Sequence, residues 1–196
     1  MNKQYVSEPV EPNVEAKIEI MRGMLRKLDQ ELGRLESLFD ERYARDDLTG
    51  LLRRNAFQIR SENLFSRCRE TGANHGLLLL DLDHFKKLND SFGHHAGDHL
   101  LKNIGQLLRS YESPDCVVCR FGGEEFALAV RGNPAQIAEE IRKEVQRLAI
   151  EAPFSCTASI GMKLSNGTET TEDLLRAADQ ALYRAKDLGR NRVEAA

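Results

Sequence analysis

Apolar residues in the first 45 positions recur at alternating steps of four and three. The repeating positions are Val14, Ile18, Met21, Leu25, Leu28, Leu32, Leu35 and Phe39. This spacing is a heptad repeat, in which one narrow apolar seam packs against a partner helix. It predicts a coiled-coil helix over residues 13–45 that pairs with a second copy, after a flexible tail at residues 1–12. A helix folded back against its own domain is the alternative that the pattern leaves open.

From residue 46 onward, short apolar runs alternate with amphipathic segments and turn residues. The apolar runs predict strands at 76–83, 115–121, 125–130 and 154–164, and an edge strand that begins near residue 192. The helical periodicity predicts helices at 54–70, 84–91, 96–111, 134–148 and 171–187. The central order βααββαβ is typical of an α+β domain with one mainly antiparallel sheet, here residues 46–196.

Composition narrows the classes of partner. The formal net charge is -3, so the chain lacks the basic excess of a nucleic-acid surface. Its longest leucine run, Leu77–Leu80, ends at Asp81 and is far shorter than the roughly 20 apolar residues of a bilayer span. Residues 1–12 lack an apolar h-region, so we do not expect them to be a signal peptide. We therefore expect a cytoplasmic protein that binds neither nucleic acid nor membrane.

Two of the four cysteines, Cys116 and Cys119, form a C-x-x-C motif, which raises the possibility of a zinc or redox site. The motif lies in a predicted strand, where residues three apart point to opposite faces. The pattern therefore favours reduced core thiols.

Three patches carry candidate chemistry. Asp81 and Asp83 end a buried apolar strand, where carboxylates bind a hard cation such as magnesium or cap the following helix. The sequence does not decide whether both would share the metal.

The second patch is the segment Gly122–Phe126. Two glycines in a tight hairpin permit positive φ and bring bare backbone close to an anion. Glu124 and Glu125 add carboxylates for a metal or a proton. A plain hairpin with a charged tip is the alternative.

The third patch, Lys186 and Arg190, is spaced four residues apart at a predicted helix end. Such a pair faces one way and grips phosphate oxygens. A solvated basic helix terminus is the alternative.

Together the three patches resemble the GGDEF diguanylate cyclases, here with a Gly-Gly-Glu-Glu-Phe variant of the motif. The resemblance covers residues 44–194. It rests on the segments at 47–51, 81–90, 92–94, 97–98, 120–126, 159–161, 177–179, 183–186 and 189–191. It implies a nucleotidyl-cyclase-like domain with a ferredoxin-like palm, and an enzyme that joins two GTP molecules into cyclic di-GMP as a two-fold dimer.

The resemblance also implies a role for each matching residue. The implied ligands of magnesium, or of manganese in its place, are Asp81, the Leu82 carbonyl and Glu124. The implied catalytic residues are Glu124, Lys86 and Glu125, with Lys86 as transition-state stabiliser. The implied substrate-binding residues are Asn89 and Asp98 on guanine, His84 and Phe85 along the nucleotide pocket, and Gly122, Gly123, Lys186 and Arg190 on the phosphates. Whether Glu124 or Glu125 deprotonates the ribose hydroxyl stays open.

One departure from the family concerns regulation. Many members carry an Arg-x-x-Asp motif for product inhibition, and the corresponding residues here are Ser113 and Cys116. We therefore predict no inhibition through that site.

Rival functions are a non-catalytic nucleotide-binding module that signals through the coiled coil, an interaction module, and a cyclase that uses adenine. Asp98 favours guanine, because a carboxylate accepts from guanine N1–H and N2–H₂. An upstream sensor protein acting on the coiled coil is a further expected partner.

Overall fold

The computed structural model describes residues 16–28, 31, 43–150 and 156–196, with the side chains of 149 and 150 left out. These residues fall into two units, divided between Tyr43 and Ala44. In the first unit, residues 16–28 form helix α1. The heptad residues within it are exposed, including Met21 (62 %), Leu25 (58 %) and Leu28 (65 %). The rest of the predicted tail and heptad helix lies outside the described residues.

The second unit alternates strands and helices along the chain. Its elements are β1 (Leu52–Arg53), α2 (Arg54–Thr71), β2 (His75–Leu82), α3 (Phe85–Phe92), α4 (His94–Arg109), β3 (Cys116–Arg120), β4 (Glu125–Arg131), α5 (Pro134–Ile150), β5 (Ala158–Leu164), α6 (Thr171–Asp187) and β6 (Val193–Ala195). The strands form one six-stranded sheet in the order β1-β3-β4-β2-β5-β6. The three central pairings are antiparallel and the two outer ones are parallel. The predicted α+β class with a mainly antiparallel sheet is confirmed.

Strand β2 runs through the middle of the sheet and is buried along its whole length. Alternate side chains enter two separate cores. Leu77 and Leu79 pack with apolar residues of α2 and α6, whereas Leu78 and Leu80 pack with those of α3, α4 and α5. The sheet is therefore covered by helices on both faces, and this explains the continuous leucine run, because a strand buried on both sides has no polar face.

The C-x-x-C residues lie on opposite faces of β3. Cys116 belongs to one core and Cys119 to the other, and both are free thiols. Burial raises the pKa of Cys116 to about 12 and that of Cys119 further still. These thiols stay protonated near neutral pH, and their burial in two separate cores confirms the prediction that the pair lies on opposite faces of a strand.

Most predicted elements match the observed ones to within two residues, with two differences. The two-residue strand β1 was not predicted, because Leu52 and Arg53 are too short a run to show alternation. The last long strand begins at Ala158, later than the predicted residue 154. Its ladder with β2 ends at the pair Leu82–Ala158, where β2 itself stops.

Helix α6 lies directly against β5 at Gly161. A Cβ at this glycine would overlap the Ala178 carbonyl and the Leu182 backbone nitrogen. The start of α6 is fixed by a capping box between Thr170 and Asp173. None of the helices in the described part of the chain is long and apolar enough to span a membrane.

Candidate active site

The end of β2 brings a buried carboxylate to a cationic side chain. Asp81 is only 8 % exposed, and the Nζ of Lys186 donates to its Oδ2 at 2.8 Å. Lys186 stands in the last turn of α6, which reaches this point because α6 packs on the neighbouring strand β5. The predicted acidic strand end and the predicted basic helix end therefore meet at one place.

The glycine hairpin closes over the same strand end. The backbone N–H of Leu82 donates to the Glu124 carbonyl at 3.3 Å, and Asp81 pairs with Glu125 in the sheet. The turn is tight, since the N–H groups of Phe121 and Gly122 both donate to the Glu125 carbonyl, at 2.8 and 3.2 Å. The hairpin thus brings Glu124 to the end of β2, where the charge of Asp81 acts on the Glu124 carboxyl.

The two glycines do not use the positive φ that their sequence permits. A Cβ at Gly122 would meet the tip of the exposed Glu125 side chain, which is free to move aside, and a Cβ at Gly123 would meet no atom within 4 Å. The turn is therefore open at Gly123, which leaves room for a ligand.

The electrostatics at this strand end favour a bound cation. Burial raises the pKa of Asp81, although Lys186 partly opposes this. Burial also raises the pKa of Glu124, and the charge of Asp81 raises it further. Two neighbouring carboxylates whose charged forms are disfavoured in this way are stabilised by a bound cation.

The donor set suits a hard divalent ion. It comprises the carboxylates of Asp81 and Glu124 and the Leu82 carbonyl, all of them oxygen donors. No group of three or more His, Cys, Asp or Glu side chains within the described ranges is arranged to hold a metal. Magnesium commonly binds proteins through one or two carboxylates and completes its shell with water and phosphate oxygens, so the set fits it.

Asp83 differs from Asp81 in its surroundings. It is 2 % exposed, and its carboxylate accepts from the hydroxyls of Thr157 and Ser159, both at 2.7 Å. It also accepts from the backbone N–H of Asn191 at 3.1 Å. These contacts occupy both of its oxygens with protein donors.

The relation between Lys186 and Arg190 differs from the prediction. Helix α6 ends at Asp187, so the two residues do not share a helical face. Arg190 and Asn191 instead have left-handed backbones, with φ of 65° and 46°. Arg190 nevertheless lies near enough to Asp81 for its charge to lower the pKa of that carboxyl slightly, against the larger effect of burial.

A second group of predicted residues lies on α3 and α4. The Oδ1 of Asn89 is buried and has no hydrogen-bond partner in the part of the chain that the structure describes. A Cβ at Gly97 would overlap this oxygen and press on the Phe85 ring, so the glycine makes room for Asn89. Asp98 follows Gly97 and is exposed. The unsatisfied amide oxygen indicates a missing hydrogen-bond donor here.

The other predicted residues flank these two groups. His84 precedes α3 with a left-handed backbone and is exposed. Lys86 and Glu125 are also exposed, whereas Phe85 is a core residue beneath Asn89.

Arg120 was not predicted to have a separate role, and it holds the hairpin by its hydrogen bonds. Its guanidinium donates to the Gly123 carbonyl at 2.7 and 3.1 Å and to Asp46 at 3.1 Å. The position of Arg120 two residues before Gly122 was the one sequence feature that could have indicated this role. Its partner Asp46 is 74 residues away, so the contact itself was not visible in the sequence.

The family model described as "Diguanylate cyclase, GGDEF domain" matches residues 43–192. This chain belongs to the GGDEF family. The diguanylate cyclase DgcP of Pseudomonas aeruginosa is 37% identical over 95% of the chain and 29% of its own length. DgcM of Escherichia coli K12, another diguanylate cyclase, is 38% identical over 83% of the chain and 41% of its own length. The chain thus spans less than half the length of these two relatives.

A solved structure extends the similarity to the N-terminal region. The coiled coil and GGDEF domain of DgcB from Caulobacter crescentus, in complex with c-di-GMP, matches with a TM-score of 0.73 and 26% identity. The match covers 93% of this chain and 99% of the DgcB chain. The similarity to DgcB is thus one of the whole fold and is not limited to the sequence motifs.

Proposed function

We propose that this GGDEF protein is a diguanylate cyclase, which condenses two GTP molecules into cyclic di-GMP and two pyrophosphates. The observation that carries the proposal is the meeting of Asp81, Glu124 and Lys186 beside the open Gly123 turn. Paired carboxylates for a metal and a cation for phosphate, next to open backbone, are the parts that nucleotidyl transfer requires.

Asp81, the Leu82 carbonyl and Glu124 would hold a magnesium ion, with manganese as a substitute. When bound, the ion would neutralise charge at the triphosphate and lower the pKa of the attacking hydroxyl. Lys186 then exchanges its contact with Asp81 for the β- and γ-phosphates, where Arg190 joins it. Gly122 and Gly123 lie against the same phosphates.

Guanine is held by Asn89 and Asp98. The unpaired Asn89 oxygen and the exposed Asp98 carboxylate are acceptors, and guanine presents N–H donors along its N1 and N2 edge. Adenine has an acceptor at N1, which a carboxylate would repel. His84 and Phe85 flank the nucleotide pocket.

The reaction joins two half-sites. The ribose 3′-oxygen of one GTP forms a bond to the α-phosphorus of the other, and the bond to pyrophosphate breaks. Repetition in the opposite sense closes the ring. Glu124 or Glu125 accepts the hydroxyl proton, and Lys86 neutralises charge in the transition state. Each domain binds one GTP, so the reaction requires a dimer with two-fold symmetry.

The dimer is held by residues 13–45 as a coiled coil, after a tail at 1–12 and before the catalytic domain at 46–196. The exposed apolar seam of α1 supports this arrangement, as does the coiled coil named for the DgcB structure. Tethering two domains raises their effective concentration to the order of mM. A sensor protein acting on the coiled coil is a suitable source of regulation.

The product does not inhibit the enzyme at the family's Arg-x-x-Asp position. Ser113 and Cys116 stand there, and their backbones form a reciprocal pair at 3.0 and 3.1 Å. The pair lacks both the guanidinium and the carboxylate of the motif. Micromolar cyclic di-GMP should leave the initial rate unchanged, and inhibition abolished by substitution of Ser113 would contradict this.

The direct test is incubation with GTP and magnesium, with products separated by chromatography. We expect cyclic di-GMP from the native chain and none from Glu124→Gln, which keeps the shape of the side chain but loses its charge. ATP serves as the control substrate. Absence of product despite bound GTP would favour the alternative, a non-catalytic nucleotide-binding module that signals through the coiled coil.

A further inference from the structure

Asp83 joins three segments that are far apart in the sequence: the end of β2, the start of β5 and the turn after α6. Its backbone N–H donates to the Thr157 carbonyl at 2.8 Å, and its carboxylate accepts from the hydroxyls of Thr157 and Ser159. The third segment is the turn after α6, whose Asn191 N–H donates to the same carboxylate. The end of β2 is thereby joined to the start of β5 and to the residue that follows Arg190.

The turn after α6 has an unfavourable backbone and needs such an anchor. Arg190 and Asn191 are both left-handed, a conformation that is unfavourable for a side chain such as that of Arg190 and more readily adopted by asparagine. Two further contacts hold the turn. The Arg190 N–H donates to the Ala185 carbonyl at 2.9 Å, and Arg142 of α5 donates to the Asn191 side chain at 2.7 Å. Two consecutive residues keep this conformation only where their surroundings fix it.

We infer that Asp83 is a positioning residue that holds Arg190 in place to grip the triphosphate, and that it is not a ligand of the metal. The inference rests on the proposed function, which gives Arg190 its role at the β- and γ-phosphates. Asp81 points to Lys186 and the metal position, whereas the oxygens of Asp83 are already occupied by protein donors. The two acids of the same strand end thus have different tasks.

Two substitutions of Asp83 separate positioning from metal binding. Asp83→Ala leaves the Asn191 N–H without its acceptor, so the turn loses its link to β2 and keeps the contacts to Ala185 and Arg142. Asp83→Asn retains an oxygen for that N–H, and its amide group can donate to the Ser159 hydroxyl, which is able to accept. A positioning role therefore predicts that the amide rescues most of the function. A metal ligand would lose its charge in both variants.

The experiment measures the affinity of the full chain for 3′-deoxy-GTP, which cannot be condensed, and for GMP, both with magnesium. We expect Asp83→Ala to bind 3′-deoxy-GTP about tenfold to a hundredfold more weakly, the range for a lost charge-assisted hydrogen bond. Affinity for GMP should change little, because GMP lacks the phosphates that Arg190 holds. Asp83→Asn should stay within about threefold of the native chain and need the same magnesium concentration.

Three outcomes would overturn the inference. Equal losses for both nucleotides would mean that Asp83 only supports the fold. A raised magnesium requirement in Asp83→Asn would make it a metal ligand. Additive losses in Asp83→Ala combined with Arg190→Ala would mean that the two residues act independently.

Amide exchange and product formation serve as independent measurements beside nucleotide affinity. If Asp83→Ala does not fold, amide exchange of Asn191 in the native chain replaces it, and slow exchange is expected because the N–H is bound to a buried carboxylate. Fast exchange would contradict the anchor. The ability of the native chain to make cyclic di-GMP is measured separately, so failure of the proposed function is distinguished from failure of this inference.

Discussion

The raised pKa values of Asp81 and Glu124 describe two carboxylates whose charged forms the fold disfavours. For a carboxyl group whose folded pKa lies above the unfolded value, the folded state binds protons more readily. The associated stability is present at low pH and is lost as the pH rises through the folded pKa. Binding sites commonly accept such a loss of stability for the sake of function.

Glu124→Gln should therefore raise the melting temperature at pH 8 in the absence of divalent ions. The gain should shrink as the pH falls below the raised pKa of Glu124, because the native carboxyl is then neutral as well. Magnesium at tenfold its Kd should stabilise the native chain by about 1.4 kcal/mol and leave the variant unaffected. Calorimetry with and without magnesium measures both effects, and an equal magnesium response in the two chains would remove Glu124 from the metal site.

Gly97→Ala should weaken GTP binding about tenfold or more, because its Cβ would take the space of the Asn89 oxygen and displace it. The matched control is Asn89→Ala, alone and combined with Gly97→Ala. The double variant should bind GTP no more weakly than Asn89→Ala alone. Additive losses would mean that Gly97 acts by some other route.

At the scale of single residues, the sequence predicted which residues form the site better than it predicted their contacts. The carboxylates at the end of an apolar strand and the cations near the C-terminus were visible, and Asp81 and Lys186 do meet. The separate surroundings of Asp83 depend on Ser159 and Asn191, which are 76 and 108 residues away. No local pattern carries such contacts.

Helix α6 is the element on which the site depends most. It supplies Lys186, and its height above the sheet is set by the missing side chain of Gly161. The helix and its end at Asp187 were predictable from the periodicity. The left-handed backbone of the turn that follows was not, because no local pattern indicates it at Arg190.

Gly161→Ala should lower the free energy of unfolding by about 1–3 kcal/mol, since the added methyl forces α6 away from β5. It should also weaken GTP binding by moving Lys186. Urea denaturation measures the first effect. The control is Gly23→Ala in α1, where nothing lies within 4 Å of the new Cβ. An unchanged midpoint for Gly161→Ala would show that α6 adapts without loss.

At the scale of the whole molecule, the apolar seam of α1 is the surface through which we expect two copies to pair. The apolar residues of α1 are exposed in a single chain, and a seam of this kind is stable only when it is covered. Leu25→Glu places a charge in the seam and should lower the rate of cyclic di-GMP formation about tenfold or more at micromolar protein. Gly23→Glu adds the same charge outside the seam and serves as the control. Equal rates for the two variants would argue against dimerisation through this helix.

The domain order could be inferred from the sequence because the period of the apolar residues changes near residue 46. The structure divides the described residues close to the same place, between Tyr43 and Ala44. The two-residue strand β1 was missed, since a strand this short is defined by its partner β3 and not by its own pattern.

The central claim is that two copies of this chain condense two GTP molecules, and its most direct test is the initial rate of cyclic di-GMP formation over a range of protein concentrations. We predict cyclic di-GMP as the product, with a rate per chain that rises with protein concentration until the dimer is saturated. Absence of cyclic di-GMP at every concentration, while GTP still binds with magnesium, would contradict the account.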